Sequence, residues 1–593
     1  QTMLACTVDG DATIESNALI NLDFKGYPAR TGPGAGGTTA IVGVTTGGGG
    51  GHGGFGGIGA TNAAGGASYD TVSSPGTGFG SGGGANIGAG GSEGGGAIQL
   101  TIGGALLLDG KITANGDDAA VFAAGGGSGG SVYLTVVGTL AGAGTISANG
   151  GAGADDLGGG GGGGRIFISS QTNNFTGNIV ARGGDGYVAG GAGTIYLTPT
   201  ISGFPSLILD NGGVSGANTP TAYISGVSYV NFIITGAASA TNNPGYDLSQ
   251  LENLFVGTNS SLTGSASMTV RSNATIQAGG KISVDGVNSG GQGSGTSING
   301  FGGGGGHGGY GGSGTNYYFY SAGGYSYDSI SSPNLFGSVG GPGSGSPSAG
   351  GYGGGAIHLT VNGVLQLDGK ISADGMSGPG TNSGGGSGGS VWLTVGTFSG
   401  AGTISANGGA ANGALGGGGG GGRIAISFNT NLFSGGFAAH GGEGFVAGGA
   451  GTIYLAPSQV GGIIPLLSVD NGGMNGAGTP LNTGLPAPIN LTITGAAAAT
   501  DITGYSIENL LIGTNSSLVP QSISTILSNA TIQAGGKIFG DGVSQSGPGN
   551  GISINGTGSG GGHGGYGGIG TGGAHGGNVY DSFTQPTATG SAG

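Results

Sequence analysis

The chain has 593 residues, 163 of them glycine, against a usual share of ~7%. Charged residues make up 6% of the chain, 10 Lys+Arg against 25 Asp+Glu, for a formal net charge of −15. These values exclude an ordinary globular-enzyme composition and a basic nucleic-acid groove. The lone Cys6 excludes an internal disulfide, and no stretch approaches the ~18 apolar residues a membrane helix needs.

The opening Gln1-Thr2-Met3-Leu4-Ala5-Cys6 has no basic segment followed by an apolar one, so a mature chain or a piece of one is expected. Asp11-Ala12-Thr13-Ile14 lies near the start of a first repeat. The tract GGGGGHGGFGG around His52 follows, then Tyr69-Asp70 and Pro75. Aliphatic-alternating segments then begin near Ile98 (AIQLTI), Val132 (SVYLTV), Ile166 (RIFIS) and Ile195 (TIYL), in steps of 34, 34 and 29 residues. Period-two alternation predicts half-buried strands. A second small strand is expected in each of LDGKITANG (108–116), GAGTISANG (142–150) and TGNIVARGG (176–184), where Asp-Gly and Asn-Gly pairs supply turns.

The pattern then returns. His307 and His563 stand in the same glycine context as His52, at separations of 255 and 256 residues, and Tyr327-Asp328 and Tyr580-Asp581 repeat Tyr69-Asp70. Fixed-period self-similarity marks an array. The division is repeat copy 1 over 1–268, copy 2 over 269–524 and a partial copy 3 over 525–593. Glycine disfavours helix by about 1 kcal/mol per residue relative to alanine. The best helical stretch, Gly495 to Thr500, is too short to form one.

A glycine tract alone reads as a flexible linker. The run that enters Gly-Arg-Ile, however, holds seven glycines both at 158–164 and at 416–422, and a disordered spacer has no reason to keep its length. The ordered alternative is extended polyproline-II-type backbone whose segments exchange amide hydrogen bonds. The expected fold is therefore all-β, with repetitive β-solenoid-like rungs interleaved with ordered polyglycine helices and essentially no α-helix.

GGGGGHGGYGG, GGGSGGSVWLTV and GGGGGGGRI resemble the glycine-rich repeat segments of secreted bacterial surface and fibre proteins and of plant extracellular glycine-rich proteins. The glycine tracts are also similar to the glycine-rich domain of the anaplastic lymphoma kinase receptor. The resemblance implies an extracellular structural or adhesive role and transfers no catalytic residue.

His52, His307 and His563 occupy equivalent places, with Phe55, Tyr310 or Tyr566 three residues on, and read as imidazoles packed beside aromatic rings. Arg165 and Arg423 follow the seven-glycine runs, where a guanidinium can bond backbone carbonyls and lock the tract against its strand. Asp117-Asp118 and Asp155-Asp156 suggest a carboxylate cluster. The counterparts of the second pair are Gly413 and Ala414, so turn roles are expected. Asp109 and Asp368, in LDGK, read as turn aspartates beside Lys111 and Lys370. Seven Asn-x-Ser/Thr sequons occur, at Asn174, Asn259, Asn273, Asn490, Asn515, Asn529 and Asn555; Asn259 with Asn515 and Asn273 with Asn529 recur at the repeat offset as candidate glycan sites.

No catalytic residue, cofactor or metal ligand is expected, and no enzyme activity. The expected function is that of a secreted, extracellular structural protein joined end to end with copies of itself into a filament. Glycans are possible partners; nucleic acid and a membrane span are not expected. The alternative is a cell-surface adhesin stalk or an ice-binding glycine-rich module.

Overall fold

Alternating aliphatic residues give each segment one apolar face, and the first repeat stacks those faces in register. In the computed structural model, Met3–Val8, Ala97–Ile102, Ser131–Gly142, Arg165–Phe175 and Thr194–Pro199 pair side by side, all parallel. Leu4, Ile98, Val132, Ile166 and Ile195 align across them. Opposite stands a row of three-residue parallel strands, Leu19–Asn21, Lys111–Thr113, Thr145–Ser147 and Asn178–Val180, aligning Ile20, Ile112, Ile146 and Ile179. The two rows enclose one apolar core, in which each aliphatic side chain contributes about 1.5–3 kcal/mol on burial. Side-chain oxygens continue the ladder past the short strands. Asp23 Oδ1 accepts the Asn115 amide (2.7 Å), Asn115 Oδ1 the Asn149 amide (2.8 Å), and Asn149 Oδ1 the Arg182 amide (2.9 Å).

The structure describes residues 1–593 apart from 42, 76–77, 86–91, 200–202, 222–228, 243–249, 265, 346–347, 459–462, 482–484, 486, 503–504, 521–524, 541–547, 555, 587 and 593. Among the described residues it is all-β, with no α-helix and hence no helix able to cross a membrane. The stretch considered for a helix is a turn at Gly495 and Ala496, both at φ +59, leading into the strand Ala498–Ile502.

Parallel stacking is interrupted at two joints. Ser206–Asp210 pairs antiparallel with Thr194–Pro199, setting Tyr196 opposite Leu207 and Ile195 opposite Ile208. Opposed residues share a face, so Leu207 lies on the side of Tyr196, away from the first core. A second core, with Leu207, Phe232, Leu254, Ile357, Val391 and Ile424, thus forms on the other face of the same sheet. At Thr452–Pro457 against Leu466–Asp470, Tyr454 opposes Leu467, and the core changes face again. Ala266–Val270 runs across the expected 268/269 boundary. Together with Ala274–Ile276 it joins Leu251–Val256 on one side to Ala356–Leu367 on the other. The sheet is continuous there; the other expected boundary, 524, lies outside the described residues.

The glycine segments form a buried layer with a three-residue rhythm. The amides of Gly159 and Gly162 donate to Gly47 and Gly50, those of Gly160 and Gly163 to Val188 and Gly191, and those of Gly161 and Gly164 to Gly151 and Ala148. The second run repeats this. Gly417 and Gly420 donate to Gly302 and Gly305, Gly418 and Gly421 to Val446 and Gly449, and Gly419 and Gly422 to Gly409 and Ala406. Segments approach so closely that a Cβ on Gly161 would lie 2.0 Å from the Gly127 carbonyl oxygen.

Candidate functional site: a buried arginine, histidine and aspartate cluster

The glycine layer enters the strands at Ser131, Arg165 and Thr194, whose amides donate to Gly96 (3.0 Å), Gly130 (2.9 Å) and Gly164 (3.0 Å). At this seam lies a buried polar cluster. His52 is fully buried. Its Nδ1 lies 2.9 Å from the Gly129 carbonyl oxygen and its Nε2 3.1 Å from Asp70 Oδ2. Its ring packs on Tyr69 at 4.6 Å, so the aromatic partner belongs to the Tyr-Asp pair and is not Phe55. The Tyr69 hydroxyl donates to the Phe79 carbonyl and meets Ser81 Oγ at 2.9 Å. Arg165, fully buried, donates from Nε and Nη2 to the Tyr69 carbonyl (2.9 and 2.7 Å), from Nη1 to Thr194 Oγ1 (3.1 Å) and from Nη2 to Ser68 Oγ (3.2 Å). Asp70 reaches its place at φ +63, a left-handed conformation that Asp tolerates better than most residues.

The second copy rebuilds the arrangement. His307 Nδ1 faces the Gly388 carbonyl at 3.0 Å, Nε2 faces Asp328 Oδ2 at 3.3 Å, and the ring packs on Tyr327 at 4.7 Å. Arg423 bonds the Tyr327 carbonyl (2.9 Å), Thr452 Oγ1 (3.1 Å) and Ser326 Oγ (3.1 Å). Asp328 also accepts from the amides of Ser329, Asn334 and Leu335 and from Ser390 Oγ. Burial pushes Asp328 up, yet the His307 hydrogen bond and those amides outweigh it and hold the carboxyl at about 2. Burial pulls His307 below the usual imidazole range, opposed by Asp328, and raises Tyr327 to about 12. Arg423 is drawn down by burial to about 10, which leaves it charged at neutral pH. Asp70 is also lowered: its burial works upward, and His52 and Arg165 overcome it.

In the third copy His563 packs on Tyr580 at 4.7 Å, and Nε2 stands 3.4 Å from Asp581 Oδ2 without forming a hydrogen bond to it. Its side chain is 36% exposed, where His52 and His307 are at 0%. The glycine carbonyl and the arginine that close the other two clusters come from rungs later in each repeat.

In the first two copies the histidine links a glycine carbonyl to the aspartate, and the arginine links the tyrosine carbonyl to neighbouring hydroxyls, so the cluster can fasten these segments together. Among the described residues no three His, Cys, Asp or Glu side chains gather as a metal site. Of the acid pairs, Asp155-Asp156 lies in a turn, where Asp155, at φ +56, accepts the Ala123 amide (3.2 Å), whereas Asp117-Asp118 lies in an irregular segment outside any turn, where Asp118 Oδ1 accepts the Ala152 amide (2.7 Å). Asp109 and Asp368 accept the amides of Ala143 and Ala401 (3.0 and 3.1 Å), and Lys370 reaches Asp374 at 2.9 Å. Asn259 and Asn515 are exposed in turns, both at φ +58. Asn273 is exposed and accepts the Val364 amide (2.8 Å). Asn529 spends Nδ2, the atom a glycan would take, on Asn509 Oδ1 (3.0 Å). Asn174 is exposed, Asn490 half-buried, and Asn555 lies outside the described residues.

Sequence reasoning placed the histidines and arginines but not their partners Asp70, Asp328, Ser68 and Ser326. The available signal was the joint recurrence of each histidine with a Tyr-Asp pair. A scan against protein-family models, a search of curated proteins and a search of solved structures each find no match to this chain.

Proposed function

We propose that this is a secreted structural protein that assembles end to end into an extracellular filament or matrix fibre, without catalytic turnover. One observation carries the reading. The element Ala266–Val270 with Ala274–Ile276 is paired on both edges, and its counterparts Met3–Val8 and Thr525–Ile532 each use a single edge among the described residues. The strand type at either extremity of the sheet is thus the type that continues it internally, and such an edge is a template for a further strand of the same repeat. The stacked rungs act as a β-solenoid, and the glycine segments act as polyproline-II helices, whose three residues per turn match the three-residue rhythm of their amide bonds. Ten Lys+Arg in 593 residues leave few tryptic sites, which suits a protein that persists outside cells.

Electron microscopy of concentrated protein tests the proposal: filaments are expected, and Ile526→Lys with Thr7→Lys, which place charges on the two edges, are expected to abolish them. Dispersed monomers of the unaltered chain at high concentration would refute it. The second reading, an ice-binding or adhesive module, draws on the alignment of Thr7, Thr101, Thr135, Ser169 and Thr198 in one rank across neighbouring strands. Thermal hysteresis separates the ice-binding form from the filament.

A further inference from the structure

One segment breaks the repeat. From histidine to aspartate the first and third copies run 18 residues (His52 to Asp70, His563 to Asp581), and the second runs 21 (His307 to Asp328). The difference falls at Asn316-Tyr317-Tyr318-Phe319-Tyr320-Ser321. The first copy has Thr61-Asn62-Ala63 there, and the third has Gly572-Gly573-Ala574. A feature that the glycine layer needed would recur in every copy, and this one does not.

The four rings project from a short antiparallel hairpin, Gly314–Thr315 against Tyr320–Ser321. Its tip is tied before any partner arrives. Asn316 Oδ1 accepts the amides of Tyr318 (3.0 Å) and Phe319 (2.7 Å), Thr315 Oγ1 accepts that of Tyr317 (2.9 Å), and the Thr315 amide donates to Leu415 (2.9 Å). Tyr317, Tyr318, Phe319 and Tyr320 are 76%, 87%, 57% and 63% exposed. Rigid tyrosine-rich loops bind at low entropic cost, and clustered exposed apolar side chains mark contact surfaces.

Charge selects the partner. No Asp, Glu, Lys or Arg occurs from Gly308 to Tyr327, within a chain of net charge −15. The segment itself offers an anionic polymer no cation and a cationic peptide no carboxylate. A membrane-surface anchor would set Lys or Arg beside its rings. The remaining chemistry is a partner with apolar faces and uncharged hydrogen-bonding edges. We propose that the Tyr317–Tyr320 tip docks a neutral polysaccharide, with its rings stacked on the C–H faces of the sugars and the tyrosine hydroxyls bonded to sugar hydroxyls.

The test is depletion of the full chain from solution by microcrystalline cellulose and by insoluble α-glucan, with neutral phosphatidylcholine vesicles and sedimentation of the protein alone in parallel. Saturable binding to one of the glucans is expected, weakened at least tenfold by Tyr317→Asn with Tyr318→Ala. Asn is tolerated at the φ +72 of residue 317. Unchanged thermal melting would show that the variant is folded, and replacing residues 316–321 by the first copy's Thr61-Asn62-Ala63 gives an independent second variant. Failure to bind either glucan, binding that survives both variants, or loss of vesicle binding or self-association in place of glucan binding would overturn the proposal.

Discussion

Replacing Gly419 by alanine tests whether the glycine tracts are there because backbone must touch backbone. A Cβ on Gly419 would lie 2.1 Å from the Gly386 carbonyl oxygen and 2.6 Å from its carbon, where real contacts stay beyond 3.0 Å. The obstacle is main chain on both sides, so no rotamer relieves it, and the segments must part by about 1 Å. Parting strains the bonds Gly419 to Gly409 (3.0 Å) and Gly386 to Met376 (2.9 Å). Overpacking costs about 1–3 kcal/mol, and one buried amide left unpaired costs about 1–3 kcal/mol more, so the expected loss is about 2–6 kcal/mol. Gly436→Ala is the control. That glycine begins a short strand with nothing within 4 Å of the added carbon, and alanine there should be neutral or stabilise by up to about 1 kcal/mol. Urea unfolding followed by far-ultraviolet circular dichroism reads both. Equal midpoints for the two variants would refute the close-packing argument.

Arg423→Ala strips donors from the Tyr327 carbonyl, Ser326 and Thr452, and should cost about 2–5 kcal/mol in the same assay. Arg423→Lys should recover only part of this, because one ammonium cannot span the three; an unchanged melt for the alanine variant would remove the fastening role. Asp328, held at about 2 against an ordinary 3.8, contributes stability that is present above pH ~4 and lost as pH falls toward 2. Asp328→Asn should flatten that acid limb of the melting-temperature profile. Tyr327, raised to about 12 from 10.0, predicts loss of stability as pH rises through that interval, and Tyr327→Phe should remove the contribution. The single tryptophan, Trp392, stacks on His358 at 4.0 Å and 3°. Burial lowers His358, so fluorescence should be quenched only as pH falls below the ordinary imidazole range, and His358→Gln should abolish the change.

The rungs were legible because alternation has a fixed period. Segments read near Ile98, Val132, Ile166 and Ile195 are strands beginning at Ala97, Ser131, Arg165 and Thr194. Alternation says which residues share a face but not which face is inside, so the switch of core at Tyr196 and Leu207 was not legible. Nothing in TIYLTP or SLILD announces that their pairing is antiparallel. The cluster was half legible. His52 and Arg165 stood out as repeated polar residues among glycines, but the Arg165 partner is the carbonyl of Tyr69, and a backbone acceptor 96 residues away leaves no mark in composition. The equivalent pair in the second copy is separated by the same 96 residues. A conserved separation between an arginine and a Tyr-Asp pair is therefore the trace that the contact leaves.

The position of the arginine follows from the seam it occupies. Along a strand, register is fixed by side chains in the core. Along a glycine segment no side chain exists to fix it, and sliding by three residues would restore a similar set of amide bonds. Register must therefore enter from the strands. It does so where the Arg165 and Thr194 amides extend the parallel ladder one residue upstream, onto Gly130 and Gly164. A guanidinium at that point grips the carbonyl of Tyr69 on one side and Thr194 of the next rung on the other, and His52 fastens the same Tyr-Asp loop to Gly129. Three parties, the rung, its neighbour and the loop, are thereby held to one alignment at the first residue where side chains can do it. Charge is scarce in this chain, and two of its ten basic side chains are buried at equivalent seams in successive repeats. Burying a cation is expensive unless its hydrogen bonds are met. Both are bonded to the groups whose relative positions the glycine layer cannot fix for itself.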